Sequence, residues 1–252
     1  PIFFGPRPDF FRIPSRFFQF LFKILPVLCL EPKRERVKKT EKTTRGVVLW
    51  TILLFLFADD VRAGKTDRAG WMAGSVSWSL DERWKLATGL EYRSKDDFST
   101  TDRWSWNLAA GYELTRWLEA EAGYELLVKH TDTRWPVEHR YWFSLTESVE
   151  VGRVEFSLRE RFQHTLGSEH EYRLRTRLQA KVEATDRLSP YLWVEMYNDL
   201  GRGGHFSLAR VRYRGGCEYR WTDTFSTDGF YLYQSQPGAR RHVVGLEANF
   251  SF

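Results

Sequence analysis

The sequence predicts an all-β fold: an antiparallel, up-and-down transmembrane β-barrel of about 12 strands, alternatively about 10, closed around a charged lumen. Three observations point there. Apolar and polar residues alternate with a period of two through nearly everything after residue 64, with no competing helical period. The connections between alternating segments are short and long by turns, the rhythm of bacterial outer-membrane barrels, whose periplasmic turns are short and outer loops longer. The chain closes on "RHVVGLEANFSF", in which Val244, Leu246, Ala248, Phe250 and Phe252 share one face and the final residue is aromatic.

The elements follow in chain order. Residues 1–36 contain no methionine, and Val37 is the expected start, since a valine codon can initiate translation in bacteria; what precedes it then has no structural role. "VKKTEKTTRG", "VVLWTILLFLFA" and "DDVRAG" give residues 37–63 the basic start, apolar run and small residue of a secretory signal peptide cut after about Ala63. The run from Val47 to Ala58 is shorter than the roughly 20 apolar residues of a spanning helix.

The leader also accounts for the apparent basicity. Residues 1–63 hold 12 Lys or Arg against 6 Asp or Glu, leaving 26 basic and 27 acidic residues (38 less 12, and 33 less 6) from residue 64 to 252. A +5 chain thus becomes a nearly neutral one, and no nucleic-acid partner is expected. A mean hydropathy of −0.49 excludes a helical membrane protein. Cys29 lies in the leader and Cys217 stands alone after it, so the exported part has no intramolecular disulfide and no cysteine metal cluster.

The barrel domain is expected over residues 64–252, with strands at Trp71–Leu80, Arg83–Arg93, Trp104–Leu114, Trp117–Val128, His139–Val151, Arg153–His164, Glu171–Ala184, Ser189–Asn198, Phe206–Arg220, Phe225–Gln236 and Arg241–Phe252. That is eleven segments, whereas single-chain bacterial barrels have an even number, hence the expectation of about 12.

"EYRLRTRLQAKVEA" poses the question of which face looks outward. Arg173, Arg175, Arg177, Gln179, Lys181 and Glu183 fall on one side of this strand, and Tyr172, Leu174, Leu178, Ala180 and Val182 on the other. A soluble barrel would turn the apolar side in, a membrane barrel would turn it out. The aromatics Trp78, Trp84, Tyr92, Trp104, Trp106, Tyr112 and Tyr141 share the apolar parity, often near strand ends, as interfacial girdles require. After residue 63 there are 21 Arg but 5 Lys, and Arg suits desolvated pairing with carboxylates where Lys suits a wet surface.

An inward charged face gives a specific expectation. Glu91, Glu113, Glu119, Glu121 and Glu125 lie on the polar parity of the first half; Arg159, Arg161, Arg173, Arg175, Arg177, Arg210, Arg212 and Arg214 lie on that of the second. Closure would set an acidic wall opposite a basic wall as a lumenal ion-pair network. Two solvated faces of opposite sign are the plainer alternative. Glu147 and Glu160 break the pattern by falling on the lipid parity, which points to a bulge or a position near the membrane rim.

"FSLRERFQ", "EYRLRTRLQ", "LARVRYRGGCEY" and "HVVGLEANFSF" together resemble the Arg-rich strands of an uncharacterised domain-of-unknown-function family of bacterial outer-membrane β-barrels. The resemblance covers most of residues 71–252 and implies fold and location, with outer-membrane lipid and the barrel-insertion machinery as partners.

Chemistry is sparse. His130, His139, His164, His170, His205 and His242 fall near the outer strand ends, without a metal-ligand spacing, and neither metal nor cofactor is expected. In "GGHFSLAR", His205 and Ser207 point the same way, as a base and a nucleophile must, and their spacing is similar to that of outer-membrane lipid A deacylase barrels. Glu218 has the wrong parity to orient that histidine, leaving Glu195 or Glu169. The open readings are a barrel filled by an Arg/Glu network, with a structural or small-solute role; a lipid-modifying hydrolase at the outer rim; and a soluble periplasmic binder.

Overall fold

A computed structural model describes residues 65–131, 133–167, 170–201 and 206–252. The leader 1–36, the signal segment 37–63, and His205 and Glu169 lie outside the described residues. The eleven strands are β1 (Lys65–Ser79), β2 (Trp84–Lys95), β3 (Thr100–Thr115), β4 (Leu118–Lys129), β5 (Val137–Val151), β6 (Val154–Leu166), β7 (His170–Val182), β8 (Leu188–Leu200), β9 (Phe206–Arg220), β10 (Phe225–Gln236) and β11 (Ala239–Ser251). They form a closed meander in which every sequential pair is antiparallel, and β1 closes against β11.

The described residues form eleven strands, close to the expected 12. Each segment that alternates is one strand, so no twelfth is hidden among them. In a meander of odd number the first and last strands point the same way, and closure must be parallel: Lys65 pairs with Ala239 and Ser77 with Ser251. Strands also run further than their apolar residues announce. β1 starts at Lys65 and β3 at Thr100, through polar residues on which hydropathy is silent.

The outer surface is apolar. Along β7, Tyr172 and Leu178 are 42% and 57% exposed, while the guanidinium-bearing residues between them are half-buried. The same holds around the barrel, with Leu90, Leu108, Phe143, Leu192 and Leu246 all exposed. Aromatic residues on this surface pair directly across strands, near the ends for Trp84 with Tyr112 (4.8 Å), Tyr92 with Trp104 (4.6 Å) and Phe225 with Phe250 (4.8 Å), and at the middle of β4 for Tyr124 with Tyr141 (5.3 Å). Such pairs stabilise adjacent strands, and those near the ends form a band at each rim.

One end of the barrel carries connections of two to five residues and Phe252, the other connections of two to seven residues and the start of β1. Ladder shifts occur at Arg93/Ser94, Glu113/Thr115 and Tyr197/Asn198. The ladders beside Glu147 and Glu160 run without a shift, so the bulge expected there is absent, and Glu160 is the central residue of β6.

Two glycines make room for interior rings. A Cβ on Gly123 would stand 2.1 Å from Trp142, its partner across the β4–β5 ladder, and one on Gly245 would stand 2.0 Å from Phe230 across β10–β11. Each ring fills the space a Cβ would take, which brings bulky side chains inside without forcing the strands apart.

Candidate functional site in the barrel lumen

The Arg rows of β6, β7 and β9 meet on β8. Arg159 is the ladder partner of Arg177, and Arg177 of Glu195; Arg161 is the partner of Arg175, and Arg175 of Tyr197. Guanidiniums therefore stand side by side, an arrangement that needs anions and π faces to be tolerable. Glu195 supplies the anion. Fully buried, it accepts from Arg159 Nη2 at 3.0 Å, Arg175 Nη2 at 2.9 Å and Arg177 Nε at 3.1 Å. Arg161 leaves this group and donates instead to Glu121 at 2.7 Å, where the indole Nε1 of Trp142 also donates at 2.7 Å.

Rings take up the rest of the positive charge. Arg177 lies over Trp193 at 4.2 Å, Arg175 over Tyr197 at 4.6 Å and Arg161 over Trp142 at 5.0 Å. A guanidinium above an aromatic face gains more once desolvated than it would in water. Arg212, on β9, donates to Gln234 Oε1 at 2.9 Å and to the Tyr197 hydroxyl. It also lies over Trp71 of β1 at 5.0 Å, whose ring is covered by Arg93 of β2 at 3.6 Å. Arg93, Trp71, Arg212, Tyr197 and Arg175 thus form a run of alternating cations and rings. It joins β2 to β7 through the interior, bypassing the wall.

Trp71 also belongs to an apolar cluster with Ala69, Trp193, Phe230, Leu232 and Val243. Arg214 bounds it, its guanidinium 3.4 Å from the Phe230 ring centre, donating to Tyr191 at 2.6 Å, to Glu247 at 2.9 Å and to Asp228. Towards the other end, Arg241 pairs with Asp67 at 2.7 Å and reaches Asp102 of β3 at 3.4 Å. Arg173 pairs with Asp199 at 2.7 Å, and Arg210 donates to Gln236 at 3.0 Å.

The two-wall arrangement is therefore only partly what the geometry brings together. Of the expected glutamates, Glu121 alone reaches an expected arginine, Arg161. Glu91 pairs with Arg93 at 2.6 Å and lies 3.6 Å from Arg103, Glu125 pairs with Arg140 at 2.7 Å, and Glu113 pairs with Lys85 at 2.7 Å near the turn end. Glu119 is the ladder partner of Glu113. Side chains one or two strands apart, at about 4.8 Å per strand, reach each other before those across the lumen do. Glu91 and Glu125 are neutralised by arginines of their own half and Glu113 by Lys85, while Arg159, Arg175 and Arg177 converge on Glu195. Sequence reasoning missed Glu195 in this role, along with the inward Trp71, Trp142 and Trp193. The parity Tyr191, Trp193, Glu195, Tyr197 is the signal that places Glu195 on the same face as those rings.

Ser207 is exposed at the outer end of β9, opposite Asp199, whose carboxylate is held by Arg173. Of the carboxylates that could orient a neighbouring base, Glu195 is surrounded by three guanidiniums and Glu218 pairs with Lys181 at 2.6 Å towards the other end. A family model described as "Protein of unknown function (DUF2490)" matches residues 69–244. The translocator domain of autotransporter NalP from Neisseria meningitidis aligns over 79% of this chain and 91% of its own length, at 13% identity and a TM-score of 0.39. No curated protein matches the chain.

Proposed function

The chain belongs to the DUF2490 family of unknown function, and from that premise we propose that it is an exported outer-membrane β-barrel whose lumen is closed to all but very small solutes, serving the envelope as a structural element or a restricted passage. One observation carries the reading: large apolar side chains are exposed around the whole wall, while the Arg, Glu and Asp rows are turned inward and paired. In water that distribution would expose an apolar patch far larger than a soluble monomer tolerates. In a bilayer it satisfies every strand through the closed ladder and the Arg, Glu and Asp rows through the interior. A signal peptide over residues 37–63, cut after about Ala63, would supply the export step.

The filled lumen favours restricted over open passage. The run from Arg93 to Arg175 and the apolar cluster that shares its Trp71 occupy the interior. A barrel of about this strand number has little space beyond its own side chains.

Two measurements test this. Extracted in detergent, the protein should migrate differently before and after boiling, as closed membrane barrels do. In a planar bilayer it should pass no large current, and Trp71→Ala combined with Arg212→Ala should raise the conductance. A large, unselective current through the unaltered protein would refute the closed lumen, and a chain that stays in the aqueous fraction without detergent would refute the membrane assignment.

A further inference from the structure

The outer wall changes character along the β1–β11 seam. Near the rim where β1 begins, Arg68 is the ladder partner of His242. Further along, Met72, Val244 and Leu246 are 59%, 61% and 53% exposed. Beyond them Gly74 pairs with Ala248, and a Cβ on that glycine would meet nothing closer than 4.0 Å. A cationic head thus leads into a shallow apolar track. From Arg68 to Val76 the track descends ~20 Å at about 3.3 Å per residue and a tilt of about 40°, more than one leaflet of a hydrocarbon core about 30 Å thick.

At the head of the track is an open hollow of about 310 Å³ lined by Thr66, Arg68, Phe98, His242 and Val244, with no acid among them. Arg68 is exposed and has no ion-pair partner among the described residues. The adjacent Asp67 is held by Arg241, and Asp96 lines a separate hollow beside Lys65. The Tyr231 hydroxyl bonds to His242 Nδ1; with that hydroxyl as donor, the ring proton sits on Nε2 and gives the hollow a second donor.

The β2–β3 turn brings Phe98 to this place in a strained conformation. Asp96, Asp97 and Phe98 all have positive φ (53°, 55° and 67°), where a β-carbon is crowded. The turn folds back onto the outer wall: the Phe98 amide donates to the Arg68 carbonyl at 3.3 Å, and its ring lies over Gly70, where a Cβ would come within 3.2 Å. The ring remains 54% exposed, so burial within the protein offsets only part of that strain.

We propose that this hollow holds the phosphate head of a membrane lipid, with Arg68 and His242 on the phosphate and an acyl chain laid along Met72, Leu246 and Gly74 below the Phe98 ring. The inference rests on the outer-membrane reading above. Charge and shape together select the occupant. An unpaired guanidinium beside an imidazole matches an anion with several acceptor oxygens, and the apolar track that starts at the same point matches a hydrocarbon tail joined to that anion. A soluble anion would leave the track and the Phe98 ring uncovered. An uncharged lipid would leave Arg68 unpaired at the edge of hydrocarbon.

The test is native mass spectrometry of the detergent-solubilised barrel with dimyristoyl phosphatidic acid as the probe. Dimyristoylglycerol, which lacks the phosphate, and inorganic phosphate, which lacks the chains, are the two comparison arms. The unaltered protein should retain one phosphatidic acid, should not retain dimyristoylglycerol, and should keep its lipid in inorganic phosphate. Arg68→Gln should weaken retention about tenfold, Arg68→Lys should recover part of it, and Phe98→Ala should weaken it about threefold. His139→Gln, at the same rim on the remote β5, should change nothing. Boiling-dependent mobility should stay intact in every variant. Equal retention of dimyristoylglycerol, unchanged retention with Arg68→Gln, or full displacement by inorganic phosphate would each overturn the proposal while leaving the membrane assignment standing. A folded chain recovered in the aqueous fraction without detergent would overturn both.

Discussion

At the scale of single residues, the weight of the interior falls on Glu195. Three arginines share its carboxylate, and removing it would leave guanidiniums crowded in a space with no other acid at hand. A buried ion group that loses its common partner is destabilised by about 3–5 kcal/mol, much more than one that loses a single outlying member. Glu195→Gln should therefore shift the urea midpoint of the detergent-solubilised barrel strongly downward. Arg159→Met should shift it little, because it relieves repulsion between Arg159 and Arg177 as it removes one ion pair. Equal shifts for the two would show that Glu195 is not the hub. The arginines were legible in the sequence because they recur at every second position of "RLRTR" and "RVRYR". Glu195 was not, because a lone acid among Trp193, Met196 and Tyr197 forms no row, and its importance comes from ladder register with β7 and β9.

At the scale of elements, period two located every strand, since a side chain's face is decided by local geometry alone. Strand ends were less visible, because the polar first residues of β1 and β3 pair by backbone hydrogen bonds that hydropathy does not record. Turns carry their own chemistry. Between β1 and β2 the Asp81 carboxylate accepts from the amides of Arg83 and Trp84, both at 2.7 Å, and these two bonds hold its pKa below the ordinary value. With the folded-state pKa the lower one, the carboxylate's contribution is fully present above the unfolded value of about 3.9 and is lost as pH falls through the folded value. Hydrogen exchange should thus show the Arg83 and Trp84 amides losing protection on acidification below about pH 4, beyond the change in intrinsic rate. In Asp81→Asn that acid-dependent step should vanish; if it persists, another group controls the turn.

At the scale of the whole molecule, the parallel seam separates the two chain ends. Closure between β1 and β11 pairs the first strand with the last across the whole length of the domain, so no local pattern announces it. An even meander would bring both ends to the same rim. With eleven strands, Lys65 opens β1 beside Ala239 at the rim of the β2–β3, β4–β5 and β10–β11 connections, while Phe252 ends at the rim of the β1–β2, β3–β4 and β5–β6 turns. If the rim of the β3–β4 and β5–β6 turns faces the periplasm, Lys65 emerges at the cell surface. A membrane-impermeant maleimide applied to intact cells, in a Cys217→Ser background, distinguishes the arrangements. Lys65→Cys and Thr131→Cys should both be labelled, whereas Glu82→Cys and Thr185→Cys should react only after the envelope is opened. Labelling of Thr131→Cys without Lys65→Cys would place the start of β1 at the opposite rim, which is possible only if a further strand restores an even number and an antiparallel seam.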